Sequence, residues 1–314
     1  MHSSKIAIVT PVFNDWVSFG MLINDLSKLA NEFDIKIQVI AVDDCSTLKN
    51  YPYDLSFSKN LKITILRLRI NLGHQRSIAI GLCETQSHKD LDGVVVMDCD
   101  GEDKVEDIFQ LMYKYSSSIT VAKRSSRTES RGFIIFYKMY KLFFRILSGH
   151  LIDFGNFCYL PADKLESLIY SPNIWNHLAA TIIKSKIPIK RISTARGKRY
   201  QGKSKLNFAD LVIHGLGAMS VFIDYIFARL LYFLVIFITL IAFLSILIIG
   251  IRIFTTLSTP GWTTTLLGIF MITGLQAIII TLISAFMVLN SRTNKEFIPA
   301  SEASFFVVER INIY

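Results

Sequence analysis

The sequence predicts a doubly wound, mostly parallel α/β domain followed by two membrane-spanning helices. Two observations lead to this prediction. Short β-branched runs alternate with helical stretches over the first 125 residues, and no charged residue lies between Arg229 and Arg252 or between Arg252 and Arg292. Because about 20 apolar residues cross a bilayer core, this tail has room for two spans. At 314 residues, 51% hydrophobic and with a mean hydropathy of +0.41, the chain is neither a polytopic transporter nor a free cytosolic enzyme.

The strand candidates are nearly continuous apolar runs, which is typical of strands covered by helices on both faces. They are Lys5–Phe13, Lys36–Asp43, Lys62–Arg69, Gly93–Asp98 and Ile119–Ala122. The helical patterns between them are Trp16–Ala30, Gln75–Glu84 and Val105–Tyr115. Strands that alternate with helices favour a parallel sheet with right-handed crossovers. Ligands bind beyond the carboxyl ends of such strands, so we expect the functional residues there.

Residues 133–147 predict a basic amphipathic helix. Lys138, Lys141 and Arg145 share one helical face, while aromatic and aliphatic side chains occupy the others. Such a helix suits the plane of a membrane interface. A core helix whose lysines extend to solvent has the same periodicity, so the pattern alone leaves both interpretations open, and the spans that follow favour the interface.

A further helical stretch at 207–225 leads into the spans, which we place at Ile226–Ile251 and Thr263–Leu289. Nine basic residues lie between Lys184 and Lys205, two more follow the second span, and the connecting loop contains only Arg252. By the positive-inside rule, we expect a multi-pass protein of the inner (cytoplasmic) membrane, with the soluble domain and both chain ends in the cytoplasm.

The charge distribution points to an anionic partner. Residues 1–122 hold 12 basic and 16 acidic side chains, whereas residues 123–205 hold 17 basic and 4 acidic ones. A basic block could bind nucleic acid, but no RNP, zinc-finger or helix-turn-helix pattern accompanies it, and anionic lipid attracts Lys and Arg beside membrane spans. We therefore expect a membrane surface or an anionic substrate, and no nucleic acid.

Carboxylates follow the most hydrophobic strand. Asp98 and Asp100 are two residues apart, so an extended backbone lets both point into the crevice, and Glu102 can follow. Oxygen ligands of this kind suit Mg²⁺ or Mn²⁺ held together with phosphate oxygens. Acidic residues that cap a strand or begin a helix are an equally common explanation. Asp43 and Asp44 end a second strand, where they either accept hydrogen bonds from a base or ribose or close an Asx turn.

Four motifs occur in the order found in a known family. They are Thr10-Pro11-Val12-Phe13-Asn14, Val42-Asp43-Asp44-Cys45-Ser46, Asn71-Leu72-Gly73-His74-Gln75 and Met97-Asp98-Cys99-Asp100. Together they resemble the GT-A glycosyltransferases of family 2. The later motifs that extend this resemblance are Arg124-Ser125-Ser126-Arg127, Gly155-Asn156-Phe157 and Arg199-Tyr200-Gln201-Gly202-Lys203-Ser204-Lys205. They are similar to those of the membrane-anchored polyprenyl-phosphate glycosyltransferases, the group of dolichol-phosphate mannose synthase and bactoprenol glucosyltransferase.

The resemblance implies roles for individual positions. The residues that would hold the nucleotide are Pro11, Asn14, Asp43 and Asp44. Those that would close over the diphosphates are Arg199, Ser204 and Lys205. The ligands of Mg²⁺ or Mn²⁺ and of the donor diphosphate would be Asp98, Asp100 and Glu102. The residues that would meet the lipid phosphate are Arg124, Arg127, Ser130 and Arg131.

The implied reaction is inverting sugar transfer. An oxygen of undecaprenyl or dolichyl phosphate would attack the anomeric carbon of a UDP- or GDP-linked sugar and expel the nucleoside diphosphate. A phosphate monoester is already ionised near neutral pH, so catalysis reduces to positioning and charge stabilisation. Arginine forks suit phosphate, in keeping with the basic middle of the chain. Two spans bury little surface, which is compatible with a homo-oligomer.

Two alternatives stay open, because the chain reads Gly155-Asn156-Phe157-Cys158 where many relatives read Gly-Asp-Phe-Arg. A glycosyltransferase acting on a sugar hydroxyl of a glycan or glycolipid would need a general base, and Asp153 is the only acid between Glu129 and Asp163. A catalytically silent subunit that binds nucleotide sugars and recruits a partner through its spans is the other alternative.

The expected organisation has four segments. Residues 1–132 form the nucleotide-sugar-binding GT-A core, and residues 133–225 form an acceptor-side region with basic amphipathic and juxtamembrane helices. Residues 226–290 hold the two transmembrane helices, and residues 291–314 form a cytoplasmic tail.

Overall fold

A computed structural model describes residues 4–48, 58–88, 90–113, 117–124, 131–202, 208–256 and 259–313, with side chains except at 131–137 and 208–209. The chain folds into two compact units. The first, here called the α/β unit, comprises Met1–Tyr137, Ile152–Val221 and Phe297–Tyr314. The second, the helical unit, comprises Lys138–Leu151 and Phe222–Glu296. The α/β unit therefore draws on three of the four segments expected from the sequence.

The secondary structure follows the predicted alternation. The strands are β1 (Lys5–Val12), β2 (Lys36–Asp43), β3 (Leu61–Leu68), β4 (Gly93–Val96), β5 (Ile119–Arg124), β6 (Cys158–Pro161), β7 (Ile189–Thr194) and β8 (Val307–Ile313). The helices are α1 (Trp16–Glu32), α2 (His74–Glu84), α3 (Asp107–Tyr113), α4 (Arg131–Ser148), α5 (Ala162–Ile169), α6 (Leu178–Lys184), α7 (Phe208–Val221), α8 (Ile223–Phe254), α9 (Trp262–Thr293) and α10 (Pro299–Glu302). Three short 3₁₀ turns lie at Thr85–Ser87, Pro172–Trp175 and Ala303–Phe306.

The described strands form one eight-stranded sheet in the order β7-β5-β6-β4-β1-β2-β3-β8. The pairs β1/β2, β1/β4, β2/β3 and β5/β7 are parallel, whereas β6 runs antiparallel between β4 and β5. The predicted doubly wound, mostly parallel fold is thereby confirmed. The carboxyl ends of β1, β2 and β4 reach the same edge of the sheet, since these strands are parallel neighbours.

The apolar runs are continuous because both faces of the sheet are buried. Along β1, Ile6 and Ile8 belong to the core beneath α1, while Ala7 and Val9 belong to the core beneath α2. Successive side chains of a strand point to opposite faces, so each face needs apolar residues. Helix α2 approaches closely through Gly81, where an added Cβ would lie 2.5 Å from Cγ1 of Val9.

The last strand, β8, closes one edge of the sheet by pairing antiparallel with β3. Arg310 forms a two-point ion pair with Glu84 of α2, at 2.9 and 3.1 Å. The Thr64 hydroxyl accepts a hydrogen bond from Gln38 Nε2 at 3.0 Å and donates one to Asn312 Oδ1 at 2.9 Å. The sequence analysis assigned no strand here, although the segment lies at the end of the chain that returns from the predicted spans.

The helical unit contains α8 and α9, each 32 residues long and apolar enough to cross a membrane. Asp224 near the start of α8 pairs with Arg292 near the end of α9 at 2.7 Å. Arg229 Nη1 donates to the carbonyl oxygens of Arg145 and Ile146, at 3.1 and 2.6 Å. Arg229 thereby gives the Ile146 carbonyl a donor at the end of α4, whereas the Arg145 carbonyl also accepts the N–H of Gly149 at 2.9 Å.

The sequence left helix α4 with two interpretations, a helix in a membrane interface and a core helix, and they differ in the exposure of its apolar side chains. Met139, Leu142, Phe143 and Ile146 form a stripe at helical spacing, and all four are exposed. A core helix would bury such a stripe, whereas a helix that lies in a membrane interface presents it to the acyl chains. The stripe is exposed as the interface interpretation requires, and the placement of α4 at a membrane stays a prediction.

We predict that β8 is needed for the stability of the α/β unit. Val307 is 7% exposed and Val308 is 53% exposed. The same substitution at these two adjacent valines therefore compares the buried face of β8 with its exposed face. Val307→Asp should lower the free energy of unfolding by about 3 kcal/mol, because it buries an unpaired charge. Val308→Asp should change it by less than about 0.5 kcal/mol. Denaturant unfolding of the detergent-solubilised full chain measures both, and equal effects would contradict the assigned register.

Candidate active site

The first wall of the crevice is built where β1 and β2 end. Asn14 Oδ1 accepts hydrogen bonds from the backbone N–H groups of Thr47 and Leu48, at 2.9 and 3.1 Å, and the N–H of Asn14 donates to Ser46 Oγ at 2.9 Å. Asn14 and Cys45 have φ angles of 52° and 60°, a left-handed region that Asn tolerates better than most residues. Asn14 thus ties two loops together at the edge of the sheet.

The predicted nucleotide-binding acids also hold loops in place. Asp43 Oδ1 accepts the N–H of Ser46 at 2.9 Å. Asp44 accepts the N–H groups of Leu72 and Gly73 at 2.7 and 2.9 Å, and so fixes the turn that begins α2. Burial raises the pKa of Asp44 even though these two hydrogen bonds oppose the shift. Pro11, in β1, is paired in register with Val42 directly before these acids.

Asp98 lies at the centre of the crevice, after β4. Its Oδ1 is buried, has no hydrogen-bond partner among the described residues, and is 3.3 Å from His74 Nε2. Burial opposes ionisation of both groups, but their mutual attraction prevails, so the pKa of His74 is raised and that of Asp98 is lowered. Arg124 and Arg199 add to the depression of the pKa of Asp98.

The other two acids of the motif are paired with arginines. Asp100 Oδ1 accepts the N–H of Glu102 at 2.9 Å, and Asp100 Oδ2 lies 3.1 Å from Arg199 Nη1. Arg196 Nη2 donates to both oxygens of Glu102, at 2.8 and 2.7 Å. Burial, and then the neighbouring Asp98, raise the pKa of Asp100. The guanidinium groups of Arg196 and Arg199 therefore contact a cluster of carboxylates in the crevice.

A single segment delivers these arginines. We call residues 195–200 the arginine strap. Its backbone pairs with the acidic loop, because the N–H of Gly197 donates to the Glu102 carbonyl at 2.9 Å and that of Tyr200 to the Asp100 carbonyl at 2.8 Å. The Tyr200 ring covers Gly101, where a Cβ would lie 2.7 Å from the ring. Tyr200 also donates its hydroxyl proton to Asp25 Oδ2 at 2.8 Å, so the strap is fixed at two places.

Arg124, predicted to meet an acceptor phosphate, lies at the same site. Its Nη2 is 3.3 Å from Asp103 Oδ1 and its Nη1 is 3.5 Å from Glu102 Oε2. Burial and the charge of Asp98 raise the pKa of Asp103 to about 7, against the pull of Arg124. The sequence analysis did not single out Asp103 or Arg196. The carboxylate of Asp103 is buried, which its position in a run of acids does not reveal.

The remaining predicted residues are not described at the site. Arg127, Ser130, Ser204 and Lys205 lie outside the described residues, and Arg131 is the first residue of α4 with its side chain not described. Their roles stay predictions. Among the described residues, the structure brings Asp98, Asp100, Glu102, Arg124 and Arg199 together in one crevice, with Asn14, Asp43 and Asp44 in its loops.

The sequence of this domain matches a known family. Residues 7–162 match the family model described as Glycosyl transferase family 2. The protein is a glycosyltransferase with a family 2 domain. It is 26% identical over 309 residues to YkoT of Bacillus subtilis (strain 168), an uncharacterised glycosyltransferase, and the match covers 90% of this chain and 86% of the relative. The resemblance to family 2 is confirmed at the level of the domain.

Similar solved structures include two glycosyl-3-phosphoglycerate synthases. Glucosyl-3-phosphoglycerate synthase from Mycobacterium tuberculosis, in complex with Mn²⁺ and UDP, is 12% identical, with 71% of this chain and 78% of that chain covered and a TM-score of 0.48. Mannosyl-3-phosphoglycerate synthase from Rubrobacter xylanophilus is 13% identical, with 69% of this chain and 72% of that chain covered and a TM-score of 0.47.

The glycosyltransferase has oxygen donors that fit a divalent cation. The buried Oδ1 of Asp98 has only an ionic contact with His74, at 3.3 Å, and no hydrogen bond among the described residues, so it is the kind of atom that a cation satisfies. Asp100 supplies a second carboxylate two residues away. Among the described residues, no three His, Cys, Asp or Glu side chains already converge on one point, since Arg199 and Arg196 hold Asp100 and Glu102. A cation bound here would therefore take its remaining ligands from the substrate or from water.

Two histidines form a pair between helices α6 and α7: His177 is the N-cap of α6, and His214 lies in α7. His177 Nδ1 accepts the N–H of Ala180 at 3.2 Å and caps α6, and its Nε2 is 3.1 Å from Nε2 of His214. The cap requires an unprotonated Nδ1, so His177 carries its proton on Nε2 and donates to His214. Burial lowers the pKa of His177 to about 3, helped by His214, and burial also lowers the pKa of His214.

We predict that this pair makes the α/β unit sensitive to acid. The folded-state pKa of His177 lies below the ordinary value of 6.5, so its contribution to stability is present above pH 6.5 and is lost as the pH falls towards 3. From pH 7.5 to pH 5 the wild type should lose about 2 kcal/mol through this one group. His177→Asn keeps a capping side chain without the titration, and most of that loss should disappear. Denaturant unfolding at both pH values tests this, and an unchanged pH dependence in the variant would contradict it.

Proposed function

We propose that this glycosyltransferase transfers a sugar from a nucleoside-diphosphate sugar to a polyprenyl phosphate at a membrane surface. The observation that carries the proposal is the crevice itself, where neighbouring carboxylates at a strand end meet Arg124, Arg196 and Arg199. The carboxylates suit a divalent cation and the arginines suit a diphosphate. A cation and a diphosphate bound together would also neutralise each other's charge.

The donor half of the proposal rests on the acidic loop and the arginine strap. When bound, a divalent cation would neutralise Asp98 and Asp100 and stabilise the charge that grows on the departing diphosphate. Arg199, whose Nη1 is 3.1 Å from Asp100 Oδ2, would bind the diphosphate, because guanidinium groups bind phosphate through paired hydrogen bonds. Glu102 could join the ligands only by releasing one of the guanidinium groups that it now holds.

The acceptor half rests on the membrane-related features. A polyprenyl phosphate has its tail in the bilayer and its charge at the headgroup level, so its enzyme must work at that level. Helices α8 and α9 are long and apolar enough to serve as anchors, and α4 exposes an apolar stripe beside basic residues. In this proposal Arg127, Ser130 and Arg131 meet the lipid phosphate, and the charge bias keeps the α/β unit on the cytoplasmic side.

The chemistry of Asp153 argues for a phosphate acceptor over a hydroxyl acceptor. Its carboxylate accepts hydrogen bonds from Arg191 Nε and Lys123 Nζ, each at 3.1 Å. Although burial acts in the opposite direction, these two cations hold the pKa of Asp153 below its usual range. A carboxylate stabilised in this way is a weak general base, whereas an ionised lipid phosphate attacks without one.

The direct test is a donor screen in which the product is identified by mass. The purified full chain is given Mg²⁺ or Mn²⁺, a panel of UDP- and GDP-linked sugars, and undecaprenyl phosphate. We expect a lipid-linked sugar and free nucleoside diphosphate with at least one donor. Transfer to a glycolipid hydroxyl in place of the phosphate would select the alternative acceptor. Binding of a nucleotide sugar without any transfer would indicate a silent subunit.

A second prediction concerns Asp100, the acid that follows Asp98 two residues later in the motif. Asp100→Asn should lower kcat at least about a hundredfold, because it removes a ligand of the cation that stabilises the leaving group. It should not lower the melting temperature, since the raised pKa of Asp100 shows that its charge is unfavourable in the fold. The matched control is Asp163→Asn on α5, an exposed acid paired with Lys164, which should leave kcat unchanged. If Asp100→Asn had the kcat of the wild type, Asp100 would not be a ligand of a catalytic cation.

A further inference from the structure

Four aromatic rings collect on one surface of the α/β unit, and two arginines stack on them. Between ring centroids, Trp175 is 4.4 Å from Phe297 and 5.4 Å from Phe306. Phe305 follows at 5.8 Å from Phe306. The Cζ atom of Arg76 lies 5.6 Å from the ring centroid of Trp175, and that of Arg69 lies 5.7 Å from the ring centroid of Phe305. We call this set of residues the aromatic patch; it consists of Arg69, Arg76, Trp175, Phe297, Phe305 and Phe306.

The aromatic patch is exposed and carries positive charge. Phe305 is 73% exposed, the other three rings are half-buried, and both arginines are exposed. In the part of the chain that the structure describes, neither arginine is paired with a carboxylate. Arg69 Nε instead donates to the Phe305 carbonyl oxygen at 2.9 Å. The only acid between positions 297 and 306 is Glu302, whose Oε1 accepts the N–H of Ile298 at 3.3 Å.

A guanidinium group that stacks on a ring keeps its N–H edge free for other partners. That edge suits the oxygens of a phosphate, which it can bind through paired hydrogen bonds. The rings beneath are apolar, and aromatic side chains favour the headgroup level of a bilayer, where one end of the side chain is apolar and the other is wet. The chemistry of the patch therefore matches a layer of lipid phosphates above acyl chains.

The position of the patch in the fold agrees with this chemistry. Arg69 directly follows β3, and Arg76 lies in the first turn of α2. Because β3 is parallel to β2, its carboxyl end lies at the same edge of the sheet as the crevice. Phe297 comes four residues after Thr293, the last residue of α9. If α9 spans a bilayer, four residues can carry Phe297 no further than about 14 Å from its end.

We propose that the aromatic patch docks onto the anionic headgroups of the leaflet at which α9 ends, and so holds the crevice edge of the sheet at the membrane surface. The rings enter the headgroup layer, while Arg69 and Arg76 bind lipid phosphates. This contact is separate from the exposed stripe of α4, because the patch belongs to the α/β unit. The inference rests on the proposed function for the presence of a membrane, but it does not depend on the acceptor.

The first experiment identifies what lies against Phe305. The full chain, with p-benzoylphenylalanine in place of Phe305, is reconstituted in vesicles of phosphatidylcholine and phosphatidylglycerol and irradiated. The matched control has the same replacement at Phe33, which is 46% exposed and follows α1 at the opposite edge of the sheet. Mass spectrometry should find a lipid adduct at position 305 and none at position 33.

Three outcomes would overturn the inference. They are the absence of a lipid adduct at position 305, equal adducts at both positions, and a crosslink at position 305 to a second copy of the chain. In the last case the patch would be a contact between protein chains.

The second experiment tests the charge of the lipid. Arg76→Gln removes a guanidinium group that stacks on Trp175 rather than on Phe305, so the surroundings of the crosslinker at position 305 are preserved. The matched control, Lys36→Gln, removes the same charge from the exposed first residue of β2, at the opposite edge of the sheet. With phosphatidylglycerol present, the adduct yield at position 305 should fall about threefold in Arg76→Gln and stay unchanged in Lys36→Gln. In vesicles of phosphatidylcholine alone, the two variants should give equal yields. Equal yields with phosphatidylglycerol present would overturn the inference, since the patch would then not recognise anionic lipid.

The two proposals can fail separately. If position 305 forms its lipid adduct while the donor screen gives no lipid-linked sugar, the proposed function fails and the docking stands. If a lipid-linked sugar forms while position 305 gives no lipid adduct, only the docking fails.

Discussion

The structure of the crevice depends on one electrostatic constraint, which is that several carboxylates are gathered at the end of a buried strand. Asp98, Asp100, Glu102 and Asp103 lie within six residues, and burial raises the pKa of Asp100 and Asp103. Negative charge so concentrated requires positive partners. The arginine strap, Arg124 and His74 supply them here, and a cation with a diphosphate would satisfy the same need during the reaction.

This constraint explains why distant parts of the chain converge. The strap follows β7, at the far end of the sheet order, yet its backbone pairs with the acidic loop after β4 and its Tyr200 reaches Asp25 on α1. Two backbone hydrogen bonds and one side-chain hydrogen bond hold guanidinium groups at the acids. Because the strap is fixed at both sides of Gly101, the proposed exchange of a carboxylate for a donor phosphate at Arg199 would need no large movement of the backbone.

Much of the fold could be predicted from the sequence, because strands buried on both faces and uncharged spans leave strong patterns. β1 to β5, the helices between them, α8 and α9 were predicted to within a few residues. β6 and β7 were not, since each is short and lies in the basic block, and β8 was not, since an edge strand has only one long-range partner. At the site, Asp98, Asp100 and Arg199 could be found from their motifs. Arg196 and Asp103 could not, because their importance comes from contacts between remote segments.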